Sequence, residues 1–182
     1  MIAILGAMRE EIEPLLVACT HIQRYEYAHN VFTTAQLCGK DVVLAYSKIG
    51  KVNAALSATL LIEKFHAQTL LFSGVAGAVN PSLKIGDLIY ATQLVQHDVD
   101  ITAFGHPWGF IPETGDFFSP SSKLNDIACH VAEELNIPVK GGGIATGDQL
   151  IANNEKKEWI AQTYKADGFE MALQRCENMK LA

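Results

Sequence analysis

Residues 1–5, MIAIL, form an unbroken apolar run closed by Gly6, the pattern of a strand covered on both faces of a sheet. Over residues 7–20 the period changes. Met8, Ile12, Leu15, Leu16 and Cys19 recur at helical spacing, and Pro14 fits that helix only in its first turns, where a missing N–H costs little. Residues 29–37 and 40–46 read as two strands paired around the turn Cys38-Gly39. Residues 50–66 are apolar and rich in alanine, as a packed helix is. Residues 69–72 predict another buried strand, running into Ser73-Gly74-Val75-Ala76-Gly77.

Residues 87–95 read as a further strand, but from 97 to 120 no period holds. That stretch combines Gly, Pro and aromatic side chains and predicts a long functional loop, since the aromatics argue against disorder. The clearest helix covers residues 121–135: Leu124, Ile127, Ala128, Val131 and Leu135 share one face, and Ser121 or Ser122 can cap it. Residues 141–147 predict a short strand ending in a turn, and 153–164 a helix with an asparagine cap. Strands alternating with helices define an α/β class around a mixed or mostly parallel sheet.

Composition narrows the function. The 182 residues carry 14 basic against 20 acidic side chains, a balance of −6, and only three arginines: Arg9, Arg24 and Arg175. Neutralising nucleic-acid phosphates needs Lys and Arg, so no nucleic-acid partner is expected. No apolar run reaches the ~18 residues that cross a bilayer, so no membrane partner is expected either, and the reading is a cytoplasmic globular protein of one domain. Cys19, Cys38, Cys129 and Cys176 are scattered, without C-x-x-C, and read as buried free thiols. His97, Asp98 and Asp100 are too few for a divalent ion, so no metal or other cofactor is expected.

In open α/β sheets, ligands bind beyond the carboxyl ends of the strands. Four turns qualify: residues 6–11 (GAMREE), 48–51 (KIGK), 73–77 (SGVAG) and 146–149 (TGDQ). None is a phosphate loop, because no G-x-x-x-x-G-K-[ST] occurs and no G-x-G-x-x-G follows a strand. Glu10 and Glu11 stand in a first helical turn. There an acid ordinarily serves the helix dipole, and works as a base only if it faces a cleft.

These turns carry a family resemblance. GAMREE (6–11), IGKVNAA (49–55), SGVAG (73–77), DITAFG (100–105), TGD (146–148) and FEM (169–171) occur in register. Together they resemble the 5'-methylthioadenosine/S-adenosylhomocysteine nucleosidases, which have the nucleoside phosphorylase fold. The resemblance implies a three-layer α/β domain over residues 1–171, with a central mixed sheet flanked by helices but without the final strand and helix. It also implies a homodimer that hydrolyses the bond between adenine and a 5'-thioribose in methionine salvage. Glu11 matches the residue that activates water. Met8, Ile49 and Met171 would line the alkylthio side, and Glu170 with Met171 would contact the ribose. Ala76 and Gly77 would lie beside the purine, with Leu150 over its face and Ile151 binding it through the backbone. Ile101, Phe104 and Pro112 match residues that the partner subunit adds to the pocket.

After Met171 the match stops. Ala172 stands where the family has a second glutamate, and residues 172–182 form a non-matching tail without the Ser-Asp pair whose aspartate protonates adenine. The resemblance therefore implies a truncated chain whose activity is in doubt. Two other readings compete: a purine nucleoside phosphorylase, which needs an anion site usually built with arginine, where Arg9 is the one arginine in a candidate turn, and a nucleoside-binding remnant without catalysis.

Overall fold

A computed structural model of the protein describes residues 1–171, so the tail at 172–182, with Ala172 and Cys176, lies outside the described residues. These divide into two compact units, Met1–Val75 and Ala76–Met171. The mixed sheet expected from the sequence is hydrogen-bonded as two sheets, one in each unit.

In the first unit β1 (Ile2–Gly6) runs parallel to β4 (Lys40–Tyr46) on one side and to β5 (Thr69–Phe72) on the other. Beyond β4 the sheet continues antiparallel through β3 (Asn30–Leu37) to β2 (Thr20–Tyr27) at the edge. The period of two sends alternate residues to opposite faces. Ala3, Leu5, Phe32, Val43 and Ala45 pack with Ala58 and Leu61 of α2 (Lys51–Phe65). Ile4, Val42 and Leu44 pack with Ile12 of α1 (Arg9–Val17) on the other face. Helix, sheet and helix thus form three layers, and β1 is apolar throughout because both of its faces are covered.

Two hairpin turns explain what the sequence pattern caught and missed. Cys38 and Gly39 take φ of +50° and +73°, the pair of left-handed residues of a two-residue turn matched to strand twist. Ala28 and His29 do the same at +50° and +59°, without the glycine or asparagine that would have announced a turn. Strand β2 is exposed along its whole length, so it shows no apolar alternation and was not expected. Pro14 is a correction: it lies inside α1 rather than in its first turn, at an exposed position where water can serve the carbonyl it leaves undonated. The thiols are another: Cys19, Cys38 and Cys129 are free, but Cys38 is exposed and the other two only half-buried.

In the second unit β7 (Leu88–Gln96), β8 (Val139–Thr146) and β9 (Gly168–Glu170) run parallel, and β6 (Gly77–Ala78) pairs antiparallel with β9. Neither β6 nor β9 is long enough to display a period. Ile160 and Tyr164 of α4 (Asn154–Tyr164) pack on Val95, Ala145, Ile151 and Phe169. Helix α3 (Ser122–Glu134) begins with Ser121 Oγ accepting from the Leu124 N–H at 3.4 Å. Its apolar stripe is not its packing face: Ile127, Val131 and Leu135 are exposed, while Asn125 donates to the Ala91 carbonyl at 2.9 Å. The 97–120 stretch is irregular apart from a 3₁₀ turn at Thr102–Phe104 and two isolated antiparallel bridges, Ile111 with Gly115 and Phe118 with Leu94 of β7. Trp108 meets Trp159 edge-on at 5.3 Å, and Lys156 Nζ sits 3.7 Å above Trp159, so the loop is fastened to α4. No helix among the described residues is long and apolar enough to cross a membrane.

Candidate active site

Parallel pairing of β1 with β4 and β5 brings three carboxyl ends of the first unit side by side. Gly6 stands opposite Tyr46, and Leu5 opposite Phe72. The chain stays hydrogen-bonded past these ends, Ser47 N–H donating to the Gly6 carbonyl and Ser73 N–H to that of Leu5. Helix α1 starts directly after β1, and Glu11 is its third residue, able to reach back to the amides before it.

Glu11 uses that reach. Its Oε2 accepts from the Ala7 N–H at 2.7 Å and the Met8 N–H at 2.9 Å. Its Oε1 accepts from the Val75 N–H at 3.0 Å, across 64 residues of chain. Three backbone donors therefore fix one carboxylate between the loop after β1 and the loop after β5. The bond from Met8 is the ordinary return of an N3 glutamate to its own N-cap; the bond from Val75 goes beyond it and ties Glu11 to a second loop. Met8, half-buried, is the N-cap residue beside it. Ile49 is exposed on the loop after β4, where Lys48 (φ +71°) and Gly50 (φ +105°) turn the chain sharply. Arg9 is occupied elsewhere: it pairs with Glu13 at 3.4 Å and lies 5.8 Å above the Tyr46 ring.

The second unit gathers its own strand ends, with Gln96, Thr146 and Glu170 in register. Phe169 organises them. Its ring packs with Ile151 in the core, and a Cβ on Gly77 would come within 2.5 Å of it. The smallness of Gly77 is thus required by Phe169, a reason that the sequence did not reveal; Ala76 beside it is exposed. Glu170 is buried, Met171 half-buried, and Leu150 is 78% exposed. After β7, the Asp98 Oδ2 accepts from the Asp148 N–H at 2.8 Å and links two loops. His97 is fully buried against Gly147, where any Cβ would strike its ring. No group of three or more His, Cys, Asp or Glu among the described residues is arranged to hold a metal.

On the long loop Ile101 is half-buried, Pro112 exposed and Phe104 82% exposed, so Phe104 is not a core aromatic. Asp100 Oδ1 accepts from the Thr102 N–H at 3.0 Å and its hydroxyl at 2.8 Å, and these bonds hold the Asp100 carboxyl below its usual value. Sequence reasoning placed Gly74 and Val75 in a candidate turn and Phe169 in a motif but gave none of the three a role; glycine at a strand end was the available signal.

Comparison with known proteins agrees with this architecture. A model of the phosphorylase superfamily matches residues 1–173, and the chain belongs to that superfamily. Its relatives are nucleosidases, so the chemistry of its class is hydrolysis of an N-glycosidic bond. Aminodeoxyfutalosine nucleosidase of Campylobacter jejuni is 55% identical over 170 residues, 93% of this chain and 74% of that protein. A 5'-methylthioadenosine/S-adenosylhomocysteine nucleosidase of Staphylococcus epidermidis is 38% identical, over 90% of this chain and 72% of its own. Among solved structures, that of a Campylobacter jejuni 5'-methylthioadenosine/S-adenosyl homocysteine nucleosidase superposes with TM-score 0.91 at 55% identity, covering 93% of this chain and 74% of that one. Futalosine hydrolase of Helicobacter pylori gives TM-score 0.91 at 48% identity, covering 93% and 73%.

Two outcomes follow from the second unit. Gly77→Ala forces a methyl against the Phe169 ring and should lower stability by about 1–3 kcal/mol in denaturant titration, with Phe169→Leu recovering part of the loss. Tyr164 donates to the His97 carbonyl at 3.2 Å; burial first, then Asp98 and Asp100, push its hydroxyl from 10.0 up to about 12. A raised pKa means that the folded state keeps the proton after the unfolded chain has lost it. Stability should therefore be intact below pH 10 and fall as the pH rises toward 12, a decline that should be smaller in the urea midpoint of Tyr164→Phe.

Proposed function

We propose that the protein hydrolyses the N-glycosidic bond of a 5'-substituted adenine nucleoside, releasing adenine, with Glu11 as the base that activates water. The observation carrying this reading is the Glu11 carboxylate held by the Ala7, Met8 and Val75 amides beyond the carboxyl ends of β1 and β5. As the bond from ribose to adenine breaks, positive charge builds on the ribose, water adds its oxygen to the same carbon, and the departing adenine takes up a proton from solvent. A fixed carboxylate then serves twice, taking a proton from water and opposing that charge.

Water rather than phosphate is the favoured nucleophile. A phosphorylase needs a cationic anion site, and Arg9, the arginine nearest these turns in sequence, is taken up by Glu13 and Tyr46. For the substrate we propose 5'-methylthioadenosine and S-adenosylhomocysteine, which would place the enzyme in methionine salvage. The relatives named for aminodeoxyfutalosine, at 55% and 48% identity, support adding that nucleoside. In this reading Met8, Ile49 and Met171 contact the 5' substituent, and Glu170 with Met171 the ribose. Ala76, Gly77, Leu150 and Ile151 contact the adenine. The enzyme is read as a cytoplasmic homodimer, with Ile101, Phe104 and Pro112 contributed to the partner's site. The exposure of Phe104 supports that assignment. Ala172, in place of the glutamate that the resemblance expects, favours a second reading of binding without turnover.

Adenine release followed chromatographically decides between them. Wild-type protein should free adenine from these nucleosides at a rate indifferent to added phosphate, and Glu11→Gln should be slower by about 10²- to 10⁴-fold. Calorimetric binding of methylthioadenosine without adenine release would instead support the second reading. Light scattering should return the mass of a dimer; a monomer would remove the partner role of Ile101, Phe104 and Pro112.

A further inference from the structure

We propose that Gly74 is a positioning residue: the absence of a side chain there is what lets Glu11 Oε1 lie against the chain after β5 and aim its last free acceptor direction at water. The proposal rests on the reading of Glu11 as the base and adds what holds that base in place.

The geometry is specific. A Cβ built on Gly74 would stand 2.9 Å from Glu11 Oε1, 3.2 Å from its Cδ and 3.2 Å from Phe72 Cε1. Gly74 is not among the residues with positive φ, so its backbone is open to any L-residue, and conformational freedom is not why glycine stands there. Space is the reason, and what fills the space is the carboxylate. Gly6 borders the same group, but a Cβ there would meet Ile12 of the core at 3.1 Å as well. Gly74 is exposed, so the pressure of an added methyl falls on Glu11 and the edge of Phe72.

The direction of the base follows by counting. A carboxylate offers about four acceptor directions. Oε2 spends two on Ala7 and Met8, and Oε1 spends one on Val75. The remaining direction belongs to Oε1, the oxygen that a Gly74 methyl would displace.

Gly74→Ala is the test, read in three ways. Adenine release should fall about 10²-fold in kcat, the scale of an ångström's misplacement of a catalytic group, with KM little changed. In a Glu11→Asp background, whose shorter side chain no longer meets the methyl, Gly74→Ala should cost almost nothing further. The Val75 amide proton, followed by NMR, should resonate in Gly74→Ala where it does in the double variant Gly74→Ala/Glu11→Ala, while the melting temperature holds. A Val75 resonance that Glu11→Ala still shifts in the Gly74→Ala background, or the same multiplicative loss in both backgrounds, would overturn the proposal. Wild-type protein that releases no adenine would remove the catalytic reading of Glu11, and the Val75 resonance would still decide the positioning of its carboxylate.

Discussion

A single carboxylate, gripped by three backbone amides, sets the terms for the first unit. For Glu11 to reach Ala7, Met8 and Val75 together, the loop after β1 and the loop after β5 must lie side by side. That requires β5 to pair directly and in parallel with β1. It also requires α1 to start at once after β1, so that the third helical residue can turn back on its own entry. Gly6 and Gly74 supply the room on either side. The placement of this carboxylate is therefore a consequence of strand order, held by main-chain groups that no side-chain rotamer can withdraw.

In the second unit an aromatic ring takes the corresponding part. Phe169 lies on a three-residue strand, yet it contacts Gly77 on β6 and joins Ile151, Ile160 and Tyr164 in the core. The neighbouring Glu170 is carried in register with Thr146 and Gln96 by the same strand. Asp167, just ahead, accepts from Asn80 Nδ2 at 2.6 Å and from the Gly143 N–H at 2.9 Å, so the segment leading into β9 is hydrogen-bonded on both sides. Packing and polar contacts thus fix a short strand that has no propensity of its own.

Legibility in the sequence followed physical cause. Strand β1 was readable because both faces are covered, so all its positions are apolar. The Cys38-Gly39 turn was readable because glycine marks a left-handed position. The turn at Ala28-His29 carries no such mark, and β2 has no buried face to print a pattern. The stripe on α3 was real but faces outward at Ile127, Val131 and Leu135. The turn at residues 73–77 was found, and Gly77 was read as lying beside the purine. That the ring of Phe169, 92 positions later in the chain, also requires a glycine there was not legible. Nothing in composition or spacing ties Glu11 to the amide of Val75, because a contact between loops depends on strand order.

A crystal structure of this chain with a non-hydrolysable 5'-thioadenosine analogue tests the central claim most directly. The account predicts an ordered water within about 2.6–3.2 Å of Glu11 Oε1, on the side that Val75 leaves open, with all three amide bonds kept. A carboxylate swung out of its amide cradle, or a water held by other groups with Glu11 remote, would contradict it.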